Sequence, residues 1–120
     1  MKAYRQGELL FVPREIKDMA GLRETLAKGR KTTVIAEGEA TGHKHELADP
    51  ATATLIEVDS WHTYIDGVSP RAQDFEKILH TDVGTVIKHP DHKELELPAG
   101  TYFIKTQREY DEEAARRVMD

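Results

Sequence analysis

Thr85-Val86-Ile87-Lys88-His89-Pro90-Asp91-His92-Lys93-Glu94-Leu95-Glu96-Leu97-Pro98-Ala99-Gly100-Thr101-Tyr102-Phe103-Ile104-Lys105 is the stretch that decides the fold. Three short runs, 85–88, 94–97 and 101–105, are separated by His89-Pro90-Asp91-His92 and by Pro98-Ala99-Gly100. Runs of this length, β-branched, alternating or aromatic and bounded by proline and glycine, read as strands rather than helices.

Working outward, Glu8-Leu9-Leu10-Phe11-Val12, closed by Pro13, reads as a buried strand, and Thr32-Thr33-Val34-Ile35-Ala36 as a β-branched one. Residues 53–58 and 61–65 are two further strand candidates, with Asp59-Ser60 as their hairpin connection. Ile16, Met19, Ala20, Arg23, Leu26 and Ala27 form a weak helical stripe interrupted by Gly21. Ser69-Pro70 is a helix start, a hydroxyl cap followed by proline, with Ala72, Phe75, Ile78 and Leu79 as its apolar stripe, His80 near its end and Asp82-Val83-Gly84 as its stop. Asp111 can cap a terminal helix in which Glu112–Arg116 and Glu113–Arg117 stand at i,i+4. The expectation is one mainly β domain over 1–120, a small barrel or sandwich with one or two short helices.

Composition narrows the class. With 38% apolar and 32% charged residues the chain suits a soluble globular domain, and a cytoplasmic location is the default. No apolar run approaches the roughly 18–20 residues of a membrane span, and no signal-peptide core follows Met1-Lys2-Ala3-Tyr4-Arg5. The absence of cysteine excludes disulfides and thiolate–metal sites. A formal charge of −5 disfavours nucleic acid as a partner, and the local run Lys28-Gly29-Arg30-Lys31 reads as a solvated loop before a strand. Gly38-Glu39-Ala40-Thr41-Gly42 lacks the helix start and the Lys-Ser/Thr pair of a phosphate loop. Edge-strand pairing into a homodimer is common for sheets of this kind.

Chemistry concentrates in the histidines. Four of six fall in two pairs, His43-Lys44-His45 and His89-Pro90-Asp91-His92. On a strand, His43 and His45 share a face with Leu47, which directs that face inward and leaves Lys44 and Glu46 to solvent. His89 is in phase with Ile87, and a turn over 89–92 brings its first and fourth Cα atoms within about 7 Å. His92, however, is in phase with Glu94 and Glu96, opposite Leu95 and Leu97. Without cysteine, convergent neutral imidazoles point to a divalent transition metal held by His43, His45, His89 and His92, with zinc, iron, manganese and nickel all open. Glu46, Glu39 and Asp91 are the nearest carboxylates. Such a centre suits a metal-dependent hydrolase or another small-molecule enzyme. The alternatives are a non-catalytic accessory or assembly module, and a metal-independent ribonuclease using two histidines as acid and base. His62, beside Trp61, and His80 read as structural.

Ala36-Glu37-Gly38-Glu39-Ala40-Thr41-Gly42-His43-Lys44-His45, His89-Pro90-Asp91-His92, Leu97-Pro98-Ala99-Gly100-Thr101-Tyr102 and Gln107-Arg108-Glu109-Tyr110 resemble a family of small uncharacterised bacterial and phage proteins, as does the opening Arg5-Gln6-Gly7-Glu8-Leu9-Leu10. That resemblance implies a single site containing His43, His45, His89 and His92. A looser resemblance, carried by His43-Lys44-His45 and Pro98-Ala99-Gly100, is to cupins, and implies a metal-binding β-barrel. The chain departs from the cupin pattern: no glutamate stands at the expected place after His45, and Phe103 occupies the position of the last histidine.

Overall fold

Neighbouring apolar residues in the central strands go to opposite faces of one sheet, and this two-sided burial organises the molecule. In the computed structural model, which describes residues 2–37 and 43–107, Tyr102 and Ile104 enter one core cluster while Phe103 between them enters another. Leu55 and Ile56, and Leu79 and Ile78, divide the same way. The sheet that carries them has six strands: β1 (Tyr4–Gln6), β2 (Leu9–Arg14), β3 (Arg30–Lys31), β6 (Thr54–Glu57), β7 (Lys77–Thr81) and β10 (Gly100–Thr106). Their order is β1-β2-β10-β7-β6-β3. A second sheet, ordered β4-β5-β8-β9, comprises β4 (Val34–Glu37), β5 (Lys44–Leu47), β8 (Thr85–His89) and β9 (His92–Leu97). Every named pairing is antiparallel.

The first core fills the space between the sheets, where Ile35, Leu47, Ile87 and Leu97 meet Leu9, Phe11, Leu55, Leu79, Tyr102 and Ile104. The second lies on the far face of the large sheet, under helix α1 (Met19–Lys28), whose Leu22 and Leu26 pack with Val58, Ile65, Phe75 and Phe103. The mainly β expectation thus takes the form, among the described residues, of two packed antiparallel sheets with one α-helix outside them. Gly21 does not interrupt α1. Asp18 caps the helix by accepting from Gly21 N at 2.9 Å, and a Cβ at position 21 would stand 2.3 Å from that carboxylate.

Two boundaries differ from expectation. Residues after Ser69-Pro70 form only a 3-10 turn, Arg71–Gln73, which Asp74 ends at φ 67°. Ile78, Leu79 and His80 belong to β7. A strand buried on both faces is apolar at successive positions, so it contains the i,i+3,i+4 spacing of a helix by default. Residues 61–65 are not a strand either: Trp61 and Tyr64 are 60% and 58% exposed, and the hairpin in this region turns at Asp66-Gly67, between Ile65 and Val68. Both central residues there have positive φ, 52° and 77°, the demand of a type I′ turn. The terminal helix expected from Asp111 and the 38–42 segment lie outside the described residues.

The sheets are joined at both edges. Residues 30–37 pass from β3 in the large sheet to β4 in the small one, with Thr32 N bonding Leu55 O and Leu47 N bonding Thr33 O on either side of the crossing. At the opposite edge, β1 lies against β9. That seam holds the histidines.

Candidate metal centre

His45 comes from the middle of β5 and faces the core with Leu47. His89 ends β8 and His92 opens β9, joined by the two-residue turn Pro90-Asp91 and paired directly across it. The phase of His92 is resolved by a bulge: Ile87 pairs with Leu95, yet His89, two residues on, pairs with His92, three residues back. The extra residue on β9 shifts its alternation by one, so His92 joins the face of His89 instead of following Glu94 and Glu96 outward.

The rings of His45, His89 and His92 therefore meet, with that of His43 alongside His89. Centroids lie 4.2 Å apart for His45 and His89, 4.6 Å for His89 and His92, 5.6 Å for His45 and His92, and 6.2 Å for His43 and His89. A ligand nitrogen from each of His45, His89 and His92 lies within 4.8 Å of the other two. His45 is buried, His89 half-buried and His92 exposed, so the group opens toward solvent on the hairpin side. His43 stands beside this group, its Nδ1 paired with the Asp91 carboxylate. The same residue's backbone N–H donates to His89 Nδ1 at 3.0 Å. Asp91 thus tethers two of the four imidazoles.

Two further residues complete the site, and the histidine spacing does not reveal them. Gln6 of β1 is buried and contacts His45 Nδ1 through Oε1 at 2.8 Å, while its Nε2 donates to Ile87 O and Lys93 O, each at 3.0 Å. Gly7 follows at φ 58° in the β1–β2 turn; a Cβ there would come within 2.8 Å of His92 Nε2 and 3.3 Å of His45 Cε1. The turn needs glycine for its backbone, and the histidines occupy the space a side chain would take.

Burial, reinforced by the neighbouring His89 and His92, lowers the His45 pKa to about 4. Burial also lowers His89, with His92 adding to the shift and Asp91 opposing it. His45 is consequently neutral at neutral pH, the state in which imidazole ligates a metal. Of the carboxylates, Glu46 lies on the outer face of the small sheet, 3.8 Å from Lys44 Nζ and 3.5 Å from Lys88 Nζ, and takes no part in the cluster. Glu39 lies outside the described residues.

The remaining histidines stand apart. His62 is exposed in the 58–69 loop. His80, expected near a helix end, is instead buried in β7, with Nδ1 2.8 Å from Thr101 Oγ1 and Nε2 2.9 Å from Asp82 Oδ1.

Fold and site define a two-sheet antiparallel domain with a histidine cluster where the sheets meet. The chain belongs to a family described as a domain of unknown function (DUF8820), which it matches over residues 5–107. No curated protein and no solved structure matches it. The ends of the matched span, Arg5 and Gln107, are hydrogen-bonded side chain to side chain. Among the described residues no helix is long and apolar enough to cross a membrane.

Proposed function

We propose that His45, His89 and His92 bind one divalent transition metal, zinc, iron, manganese or nickel, with His43 and Asp91 at the margin of the centre. The observation that carries this reading is the approach of three ligand nitrogens, drawn from two separate stretches of chain, to within 4.8 Å of one another. Stacked imidazoles repel as cations and gain as ligands, so the arrangement favours a shared ion over protonation. The donor set is chemically suited, being all-nitrogen and of borderline softness.

His45 fits without adjustment. His89 does not: accepting the Asp91 N–H at Nδ1 leaves the hydrogen of its neutral ring on Nε2. Ligation through Nε2 therefore requires the proton to move to Nδ1 or the ring to turn over, at the expense of one hydrogen bond worth about 1 kcal/mol. Metal coordination outweighs such a cost.

A divalent ion on three histidines keeps a position for water or substrate and supplies Lewis acidity, which makes hydrolysis of a small molecule the natural chemistry. Elemental analysis of untagged protein, followed by zinc titration of the metal-free form, tests the proposal. Near-stoichiometric metal, lost in both His45→Ala and His89→Ala with the circular dichroism spectrum retained, is the expected result. Metal content unchanged in either variant, or none in the parent protein under zinc saturation, overturns it. If removing the metal unfolds the parent, the ion serves the fold and the domain is an accessory module.

A metal-independent acid–base reading draws support from the same tautomers, since His45 would offer a lone pair and His89 an N–H. It is the weaker reading, because a general base works best with a pKa near the operating pH and His45 lies at about 4. Chelator-insensitive cleavage of RNA would reverse that ranking.

A further inference from the structure

We infer that Gln6 is a positioning residue that decides which nitrogen of His45 the site offers. Gln6 is 3% exposed, and both ends of its amide are engaged. Nε2 faces two backbone carbonyls, Ile87 O and Lys93 O, each at 3.0 Å, and only an N–H₂ group can satisfy both. Turning the amide over would set its oxygen against two other oxygens. The orientation is thereby determined, and Oε1 must be the acceptor toward His45 Nδ1 at 2.8 Å. Nδ1 carries the hydrogen, and the lone pair of the neutral ring stands on Nε2.

The two carbonyls are those of β8 and β9, the strands that carry His89 and His92, on either side of the bulge that brings those rings together. One side chain therefore couples the register of that hairpin to the tautomer of His45. This is the part an outer-shell carboxylate or carbonyl plays in metal sites, and losing such a partner typically weakens metal binding about 10–100-fold. The tautomer assignment stands without a metal. Its consequence for affinity rests on the metal reading proposed above.

The test uses the full chain labelled with ¹⁵N in histidine, in its metal-free and zinc-titrated forms. In the parent protein at neutral pH, the His45 nitrogen shifts should report Nδ1–H and an unprotonated Nε2; the opposite tautomer overturns the inference with no variant needed. Two substitutions separate positioning from structure. Gln6→Met removes the acceptor and the donors, so His45 should drift to a tautomer mixture and zinc affinity should fall about 10–100-fold. Gln6→Glu keeps the acceptor but sets a carboxylate against the two carbonyls, so the fold should weaken while the Nδ1–H tautomer persists and zinc affinity falls less than in Gln6→Met. Equal loss of tautomer and affinity in both variants would show that Gln6 acts only through the fold, and overturns the inference. A parent that shows the Nδ1–H tautomer but binds no zinc would sink the metal reading and leave the role of Gln6 intact.

Discussion

His45 and His80 are both strand histidines of nearly equal burial, 8% and 9% exposed, yet their surroundings differ in kind. Both nitrogens of His80 have partners close by, Thr101 across the strand pair and Asp82 two residues on, just past the end of β7. His45 has one nitrogen engaged by Gln6, and its ring lies against His89 and His92. A buried imidazole with two short-range partners is a satisfied core group. One with a single partner and other imidazoles against it is a poised one. The distinction also disposes of a tempting pattern, because Asp82, His80 and Thr101 together have the atoms of a hydrolytic triad. Its accessibility is inverted: the hydroxyl residue is 5% exposed while the Asp82 side chain is 69% exposed, so no substrate reaches the nucleophile.

The largest expected effect is a crossed pair of variants. His89→Ala should lower zinc affinity by two to three orders of magnitude, about 3–4 kcal/mol, while changing metal-free stability by less than about 1 kcal/mol. His80→Ala should do the reverse: a loss of about 2–3 kcal/mol from a buried ring and its two hydrogen bonds, with zinc affinity unchanged. Urea unfolding in chelator and zinc competition titration read the two quantities separately. If the variants fail in the same assay, the two environments are not distinct and the comparison collapses.

How far the sequence foretells this contrast depends on distance along the chain. The strands that end in Pro98-Ala99-Gly100, and the inward phase of His45 with Leu47, follow from local alternation and appear as expected. The convergence of His92 does not, because the bulge that reorients it is set by pairing with β8 and by Gln6, not by the residues of β9. The 72–79 stripe misleads for a physical reason: a strand covered by a sheet on one side and a helix on the other needs no alternation, so Ile78 and Leu79 satisfy helical spacing without being helical. β1 escapes notice because its inward residue next to the turn is a buried glutamine rather than an aliphatic. Nothing in the spacing ties that glutamine to a histidine 39 residues later.

The second effect, up to about 3 kcal/mol, is acid destabilisation of the metal-free protein through His45. Its pKa is about 4 in the fold against an ordinary 6.5, so the unfolded chain takes up the proton first. The stability associated with the neutral ring is complete above about pH 6.5, declines as pH falls from 6.5 toward 4, and changes no further once the folded ring is protonated as well. His89 is lowered too and contributes in the same direction. Urea midpoints collected from pH 7.5 to 4 should fall more steeply for the parent than for His45→Leu, the difference isolating this ring from titrating carboxylates. Parallel profiles would mean that His45 carries its proton as readily in the fold as outside it.

Smaller effects sort the margin of the site from its exterior. Asp91→Ala releases His43, which stands beside the three proposed ligands rather than among them, so zinc affinity should drop by less than about tenfold, short of what direct loss of an outer partner causes. Smallest of all is Glu46→Gln. Its carboxylate lies between Lys44 and Lys88 on the solvated face of the small sheet, at 3.8 Å and 3.5 Å, and such pairs contribute about 0–1 kcal/mol. Glu46 is adjacent in sequence to His45 and belongs to the opposite face, so the near-silence of this variant in both zinc affinity and urea stability is itself a measurement of strand alternation. A tenfold fall in zinc affinity on Glu46→Gln would place the carboxylate with the imidazoles and reverse the assignment of inside and outside along β5.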